Sequence, residues 1–268
     1  MTRNLATAAA VVLIALGTAC SSQTDSPTSP SPPGATTAIY YTAIGASDGI
    51  GFGGSVPCVP FAIDCNDGTG YVQTLVRRLR DGAGAVSQRN LSIPGAVMSK
   101  SVEELAASIG RPISSLAGNF IDRQAPFVPV ATTHVTIFAG GNDSNVIAQS
   151  VLAGRGGADI NGYIATQIQQ WGIDFEALVA AIRARAPNAR VVALNLPNLA
   201  GSPYVQANSL NERSIMQRIA VGLSDKVNAM TGRNVLVVDL MCDARLYSPS
   251  SYAADGFLAI APASFDRV

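Results

Sequence analysis

Five short apolar, β-prone runs punctuate the chain: Ala38–Ile44, Ala85–Leu91, His134–Ala139, Arg190–Leu196 and Asn234–Leu240. Between them, apolar positions recur at helical spacing over Thr69–Arg80, Lys100–Ser108, a long stretch across Ile160–Ala186, and Asn208–Thr231. Strands that alternate with helices predict a parallel sheet carrying helices on both faces. Val191-Val192-Ala193-Leu194 is apolar at every position, as a strand covered on both sides should be. Pro187-Asn188 stops the long helix, and Gly232 follows the next one. No internal repeat interrupts the pattern. The expected fold class is α/β: one three-layer α/β/α, flavodoxin-like domain over residues 38–268, with a central parallel sheet of about five strands.

Composition supports a packed domain, because 48% of the residues are apolar and only 13% are charged. Formal charge balances, and the densest basic run, Arg77-Arg78-Leu79-Arg80, reads as the solvated end of a helix. No nucleic-acid partner is expected from that footprint. Residues 1–19 lie outside the fold. Arg3 precedes an apolar run from Ala6 to Leu16 that is too short to span a bilayer, which is the pattern of a secretory signal. Gly17-Thr18-Ala19-Cys20 resembles a bacterial lipoprotein box, in which Cys20 would be lipidated and anchor the protein to a membrane. Gly17 departs from the aliphatic residue usual there, so ordinary cleavage after Ala19 is the competing reading. Residues 20–37, rich in Ser, Thr and Pro from Ser21 to Thr37, read as a tether.

Export suits the cysteines. Cys58 and Cys65 flank a short loop and are expected to pair in an oxidising compartment, stabilising the fold by roughly 2 to 3 kcal/mol. Two free thiols are the alternative. Cys242 is left over and is expected to pack as a small buried hydrophobe.

In open α/β sheets, ligands bind beyond the C-terminal ends of the strands. The first strand runs into Gly45-Ala46-Ser47-Asp48-Gly49, a glycine-flanked turn that would expose a serine hydroxyl. After the second come Asn90 and then Pro94-Gly95, where Gly95 can present a backbone N–H unobstructed by a side chain. After the third comes Gly140-Gly141-Asn142-Asp143, a glycine pair beside an amide donor. Each signal alone is ordinary turn chemistry. Their order at successive strand ends is the distinguishing feature.

Together these blocks resemble the SGNH (GDSL-type) esterase and lipase superfamily, from about Ile39 to Phe257. The resemblance implies that Ser47 is the nucleophile. It also implies that the Ser47 N–H, the Gly95 N–H and Asn142 form an oxyanion hole, and that Asp255 opens the closing Asp-x-x-His block. No cofactor or metal is implied. The implied partner is a small-molecule, lipid or glycan ester, the implied state a monomer.

Two positions depart from the pattern. The usual Gly-Asp-Ser is Gly45-Ala46-Ser47, with the acid after the serine. More seriously, Leu258 occupies the histidine position, ten residues before the end of the chain, and the Pro and closing helix common after that histidine do not follow. The one histidine, His134, opens the third strand, some 23 Å from the strand end at roughly 3.3 Å per residue, and reads as structural. Without an imidazole, Asp255 is a poor acceptor for a serine proton. An impaired esterase is therefore expected, and a non-catalytic acyl- or glycan-binding lipoprotein on the same scaffold is the alternative.

Other motifs fall away on context. Gly49-Ile50-Gly51-Phe52-Gly53-Gly54 matches a dinucleotide fingerprint, but Pro57 and Pro60 forbid the helix it needs. Asp64-Cys65-Asn66-Asp67-Gly68 lacks the alternating ligands of a calcium loop. One histidine and these cysteines assemble no zinc pattern.

Overall fold

The computed structural model describes residues 38–58, 65–83, 85–205, 207–243, 247–252 and 258–260, the last two segments by backbone alone. The signal and tether segments, Cys20 and Asp255 lie outside the described residues.

All five apolar runs are strands: β1 (Ile39–Gly45), β2 (Val86–Asn90), β3 (His134–Phe138), β4 (Arg190–Leu194) and β5 (Leu236–Val238). They form one parallel sheet in the order β2-β1-β3-β4-β5. Register runs from Tyr41 opposite His134 to Gly45 opposite Phe138, so β1 and β3 end together. The edge strands show their position in their side chains. Ser87, Gln88 and Arg89 of β2 are exposed, as are Leu236 and Val238 of β5. A separate antiparallel hairpin, β6 (Tyr247–Tyr252) with β7 (Leu258–Ile260), was not anticipated from the pattern.

Among the described residues six α-helices connect and cover the sheet: α1 (Tyr71–Ala83), α2 (Lys100–Ser108), α3 (Phe120–Arg123), α4 (Gly141–Leu152), α5 (Ile160–Arg185) and α6 (Leu210–Asn228). The alternating faces of β1 sort the core into two layers. Tyr41 and Ala43 meet Tyr71, Val72 and Val76 of α1, while Ile44 belongs with residues of α2, α4, α5 and α6. The larger layer includes Trp171 stacked on Phe175, ring centroids 5.2 Å apart. A fully buried apolar side chain of this size is worth about 1.5 to 3 kcal/mol.

Helix ends follow local chemistry. Ser209 and Glu212 form a capping box at the start of α6. Asp159 caps α5 by accepting from the Gly162 N–H. Pro187 stands two residues beyond the last residue of α5.

Cys58 and Cys65 are joined by a disulfide, Cα atoms 5.8 Å apart. Cys242 corrects the expectation of a small buried hydrophobe: it is half-buried. Residues 49–54 pass from a single 3₁₀ turn into tight turns and open no α-helix, so the dinucleotide fingerprint lacks its helix.

Candidate active site

The sheet order is the flavodoxin-like one, whose switch point falls between β1 and β3. There the chain leaves β1 and β3 in opposite directions and a crevice opens. A cavity of about 250 Å³ occupies it, bordered by Ser47 after β1, Gly140, Gly141 and Asn142 after β3, and Leu196 after β4.

Ser47 sits one residue beyond Ala46, in a helical backbone conformation that starts a single turn of 3₁₀ helix over Asp48–Ile50. Its carbonyl accepts from the N–H groups of Ile50 (3.2 Å) and Phe52 (3.0 Å), which closes the turn. Among the described residues its hydroxyl has no hydrogen-bond partner, and it faces the cavity.

The strand exit that carries Ser47 is held by Gln124, a fully buried amide. Gln124 Nε2 donates to the Gly45 carbonyl at 2.9 Å, and the Gly45 N–H donates back to Gln124 Oε1 at 3.1 Å. This side chain mimics a neighbouring strand at the last residue of β1. From the other side, Asn90 Nδ2 donates to the Gly49 carbonyl at 2.7 Å, and Asn90 Oδ1 accepts from the Ser92 N–H at 3.0 Å. Glycine is required at position 49, because a Cβ would run into the Ser92 side chain.

Gly95 lies on the exposed loop after β2 with φ +82°, a conformation that favours glycine. It is its neighbour Ala96 that borders the cavity. Asn142 Nδ2 donates to the Ala96 carbonyl at 2.8 Å, which leaves the second amide hydrogen for the cavity. Asn142 is the second residue of α4, so the unpaired N–H groups of that helix start lie beside it.

Asp143, next along, is fully buried and serves the scaffold. Its Oδ1 accepts from the Met98 N–H at 2.8 Å and so ties the β2 loop to α4. Burial pushes its carboxyl up to about 6, offset in part by the Met98 N–H and the nearby Trp171 indole.

Asp48 borders the cavity beside Ser47, and its Oδ2 is buried with no partner among the described residues. Burial pushes this carboxyl up to about 7, against the pull of the backbone N–H groups of Asp48, Ala46 and Gly49. The Tyr71 hydroxyl, also buried and unpartnered among the described residues, is pushed up by burial and by the charges of Tyr41 and Asp48.

Other expected residues fall apart from this group. His134 opens β3, four residues before Phe138 and so roughly 13 Å from that strand end. Its Nδ1 lies 2.9 Å from Thr133 Oγ1, and burial with the Arg190 charge lowers its pKa. Leu258 is in β7, where only the backbone is described. The segment after β4 borders the cavity through Pro197, Leu199, Ser202 and Tyr204. The disulfide loop does not border it among the described residues. It braces the nucleophile turn from behind, with the Cys58 N–H donating to the Ile50 carbonyl at 2.7 Å.

Residues 42–259 match the GDSL-like lipase/acylhydrolase family. The chain belongs to that family. No curated protein matches the chain. Solved structures of similar course include the extracellular lipase of Streptomyces rimosus, at TM-score 0.49 and 20% identity over 84% of this chain and 94% of that one. Phospholipase A1 of Streptomyces albidoflavus NA297 is similar at TM-score 0.47 and 16% identity, covering 85% and 94%. So is Axe2, an acetylxylan esterase of Geobacillus stearothermophilus, at TM-score 0.48 and 16% identity, covering 87% and 91%. In this GDSL-like chain, Gln124 escaped the sequence reading, because a lone Gln between short elements carries no sequence signal. The acid at position 48 was visible there only as a departure in order, and its burial was not.

Proposed function

We propose that this GDSL-like protein is an exported carboxylic ester hydrolase whose nucleophile is Ser47. The backbone N–H groups of Ser47 and Gly95 and the Asn142 side chain receive the oxyanion. One observation carries the reading: a single cavity borders Ser47 and Asn142 at the switch point of the sheet. The free hydroxyl of Ser47 attacks the ester carbonyl, whose oxygen takes up negative charge beside the Asn142 amide. Each such donor contributes about 10²–10³ in rate. The serine proton then needs an acceptor that can later return it to the leaving alcohol.

Asp-x-x-His would supply an imidazole at position 258, oriented by Asp255. With Leu258 there instead, turnover falls by up to about 10⁶, leaving roughly 10³–10⁴ over water from oxyanion stabilisation and binding. The same substitution favours a second reading, an acyl- or glycan-binding protein that does not turn its ligand over. Export is supported by the signal-like residues 1–19 and by the Cys58–Cys65 disulfide. Attachment through a lipid on Cys20, or release after cleavage, follows from that reading.

A short-chain nitrophenyl ester assay on the parent chain, Leu258→His and Ser47→Ala decides between these. The expected result is weak turnover by the parent and a large Ser47-dependent gain with Leu258→His. Robust Ser47-dependent turnover by the parent would overturn the impairment. Ligand binding without turnover in every variant, unchanged by Ser47→Ala, would favour the binding protein.

A further inference from the structure

Ester cleavage by Ser47 requires an acceptor for the serine proton, and the cavity limits the choice. Asp48 follows Ser47 directly and borders the same space. Among the described residues it is the only carboxylate there, and no Lys, Arg or His joins it. Its Oδ2 is turned inward, where a Cβ on Gly45 would come within 3.0 Å of that oxygen and 3.1 Å of Ser92 Oγ. The residue as a whole is only half-buried, so it keeps surface on the cavity side.

The surroundings make this carboxyl an uncommon one. Tyr71 of α1 interacts with both Asp48 and Tyr41 of β1, and the Tyr41 hydroxyl lies 2.7 Å from Thr136 Oγ1 of β3. None of these groups, nor Ser92 after β2, carries a positive charge. The remaining wall is largely carbon, from Phe138, Leu196 and the stacked rings of Phe52 and Tyr204, 5.6 Å apart. Such a site favours the neutral form of an acid. Burial accordingly pushes the Asp48 carboxyl up to about 7. An ordinary aspartate is too weak a base for a serine proton, whereas one raised to neutrality is matched to the task. Tyr71, pushed up by burial, keeps its own proton.

Consecutive side chains on a helical turn do not face each other, so the transfer needs a bridge. An ordered water occupies about 10–15 Å³ of such space, and the cavity of about 250 Å³ holds one beside a substrate.

We propose that Asp48 is the general base of this chain, taking the Ser47 proton through one water in the cavity. The proposal rests on the ester chemistry assigned to Ser47. As the bond from Ser47 Oγ to the acyl carbon forms, the hydroxyl proton passes to the water and a water proton to the Asp48 carboxylate. When the bond from the acyl carbon to the alcohol oxygen breaks, the proton returns by the same route to the leaving alcohol. A second water then attacks the acyl-serine and gives its proton to Asp48, which returns it to Ser47 Oγ as the carboxylic acid leaves. The two-step relay through water makes a slower base than an imidazole in direct contact, in keeping with weak turnover.

The test is the pH profile of nitrophenyl acetate hydrolysis from pH 5 to pH 9, with the Ser47→Ala rate subtracted at each point. The Ser47-dependent rate of the parent should rise with pH and level off above about pH 8, as the Asp48 carboxylate forms. Asp48→Asn should lower that rate about 10²-fold at pH 8 and remove the rise. Asp48→Glu, which keeps a carboxylate, should recover part of the loss, and the parent should turn over more slowly in D₂O than in H₂O. Melting curves verify that each variant is folded; should Asp48→Asn fail to fold, the parent's profile decides alone. A Ser47-dependent rate that is flat across this range, or equal in Asp48→Asn, would overturn the proposal and spare the hydrolase. Turnover by Leu258→His with none from the parent above Ser47→Ala would do the same. Absence of Ser47-dependent turnover from both the parent and Leu258→His would remove the hydrolase itself, and this base with it.

Discussion

Asn142 Nδ2 donates to the Ala96 carbonyl across 2.8 Å, joining the start of α4 to the loop after β2, 46 positions apart in sequence. One hydrogen bond thus sets the rotamer of the amide and the position of the Gly95–Ala96 backbone. The oxyanion donors proposed on these two loops are aligned by each other.

That coupling predicts the behaviour of Asn142→Ala. In the Leu258→His background, where turnover is measurable, kcat should fall by about 10²–10³ with a smaller change in KM. Asn142→Asp, which lacks the amide hydrogens, should be no better. Steady-state kinetics on the two variants check this, and a loss confined to KM would contradict it.

Gln124 carries a stability prediction. Gln124→Leu removes the side chain that accepts from the Gly45 N–H at 3.1 Å, while the Gly45 carbonyl still accepts from the Ile93 N–H at 3.2 Å. Leaving one buried group unpaired costs about 1 to 3 kcal/mol. Urea unfolding followed by the fluorescence of the single tryptophan, Trp171, should show a loss of that size. Because β1 delivers Ser47, kcat in the Leu258→His background should fall as well.

Asp48 predicts a pH dependence of stability. Its folded pKa, about 7, is raised above the ordinary carboxylate value of 3.8. Between these values the folded protein holds a proton that the unfolded chain has released. Stability from Asp48 is therefore complete below the lower value and is lost as pH rises towards the upper one, at about 1.4 kcal/mol per unit at most. Asp48→Asn removes this term, so the parent's advantage over the variant should shrink from pH 4 to pH 7 and stay level above. Asp143, raised to about 6, titrates in both proteins and cancels in the comparison. Urea midpoints at pH 4.5, 6 and 8 test it. A constant difference across that range would show that Asp48 titrates as an ordinary carboxylate in the folded protein.

The strands were legible because a doubly covered strand has to be apolar at nearly every position, as Val191 to Leu194 is. Capping chemistry made α6 and the end of α5 readable in the same local terms. The start of α4 was not legible. Gly140-Gly141-Asn142-Asp143 has turn composition, and Val146, Ile147 and Val151 are β-branched residues of modest helix propensity. Burial of Val146, Ile147, Ala148 and Val151 against the core supplies what propensity lacks.

The candidate site divides the same way. Ser47, Gly95 and Asn142 could be picked out because strand-end chemistry uses short motifs with glycine at fixed places. The sequence alone determined the alternation of elements, hence a parallel sheet, and the residues that stand at its strand ends. Only the tertiary structure decided that Ala96 meets Asn142, that Gln124 braces Gly45, and that Phe52 meets Tyr204. Those contacts join loops from different strands, so their partners are chosen by sheet order and register, which no local pattern of residues encodes.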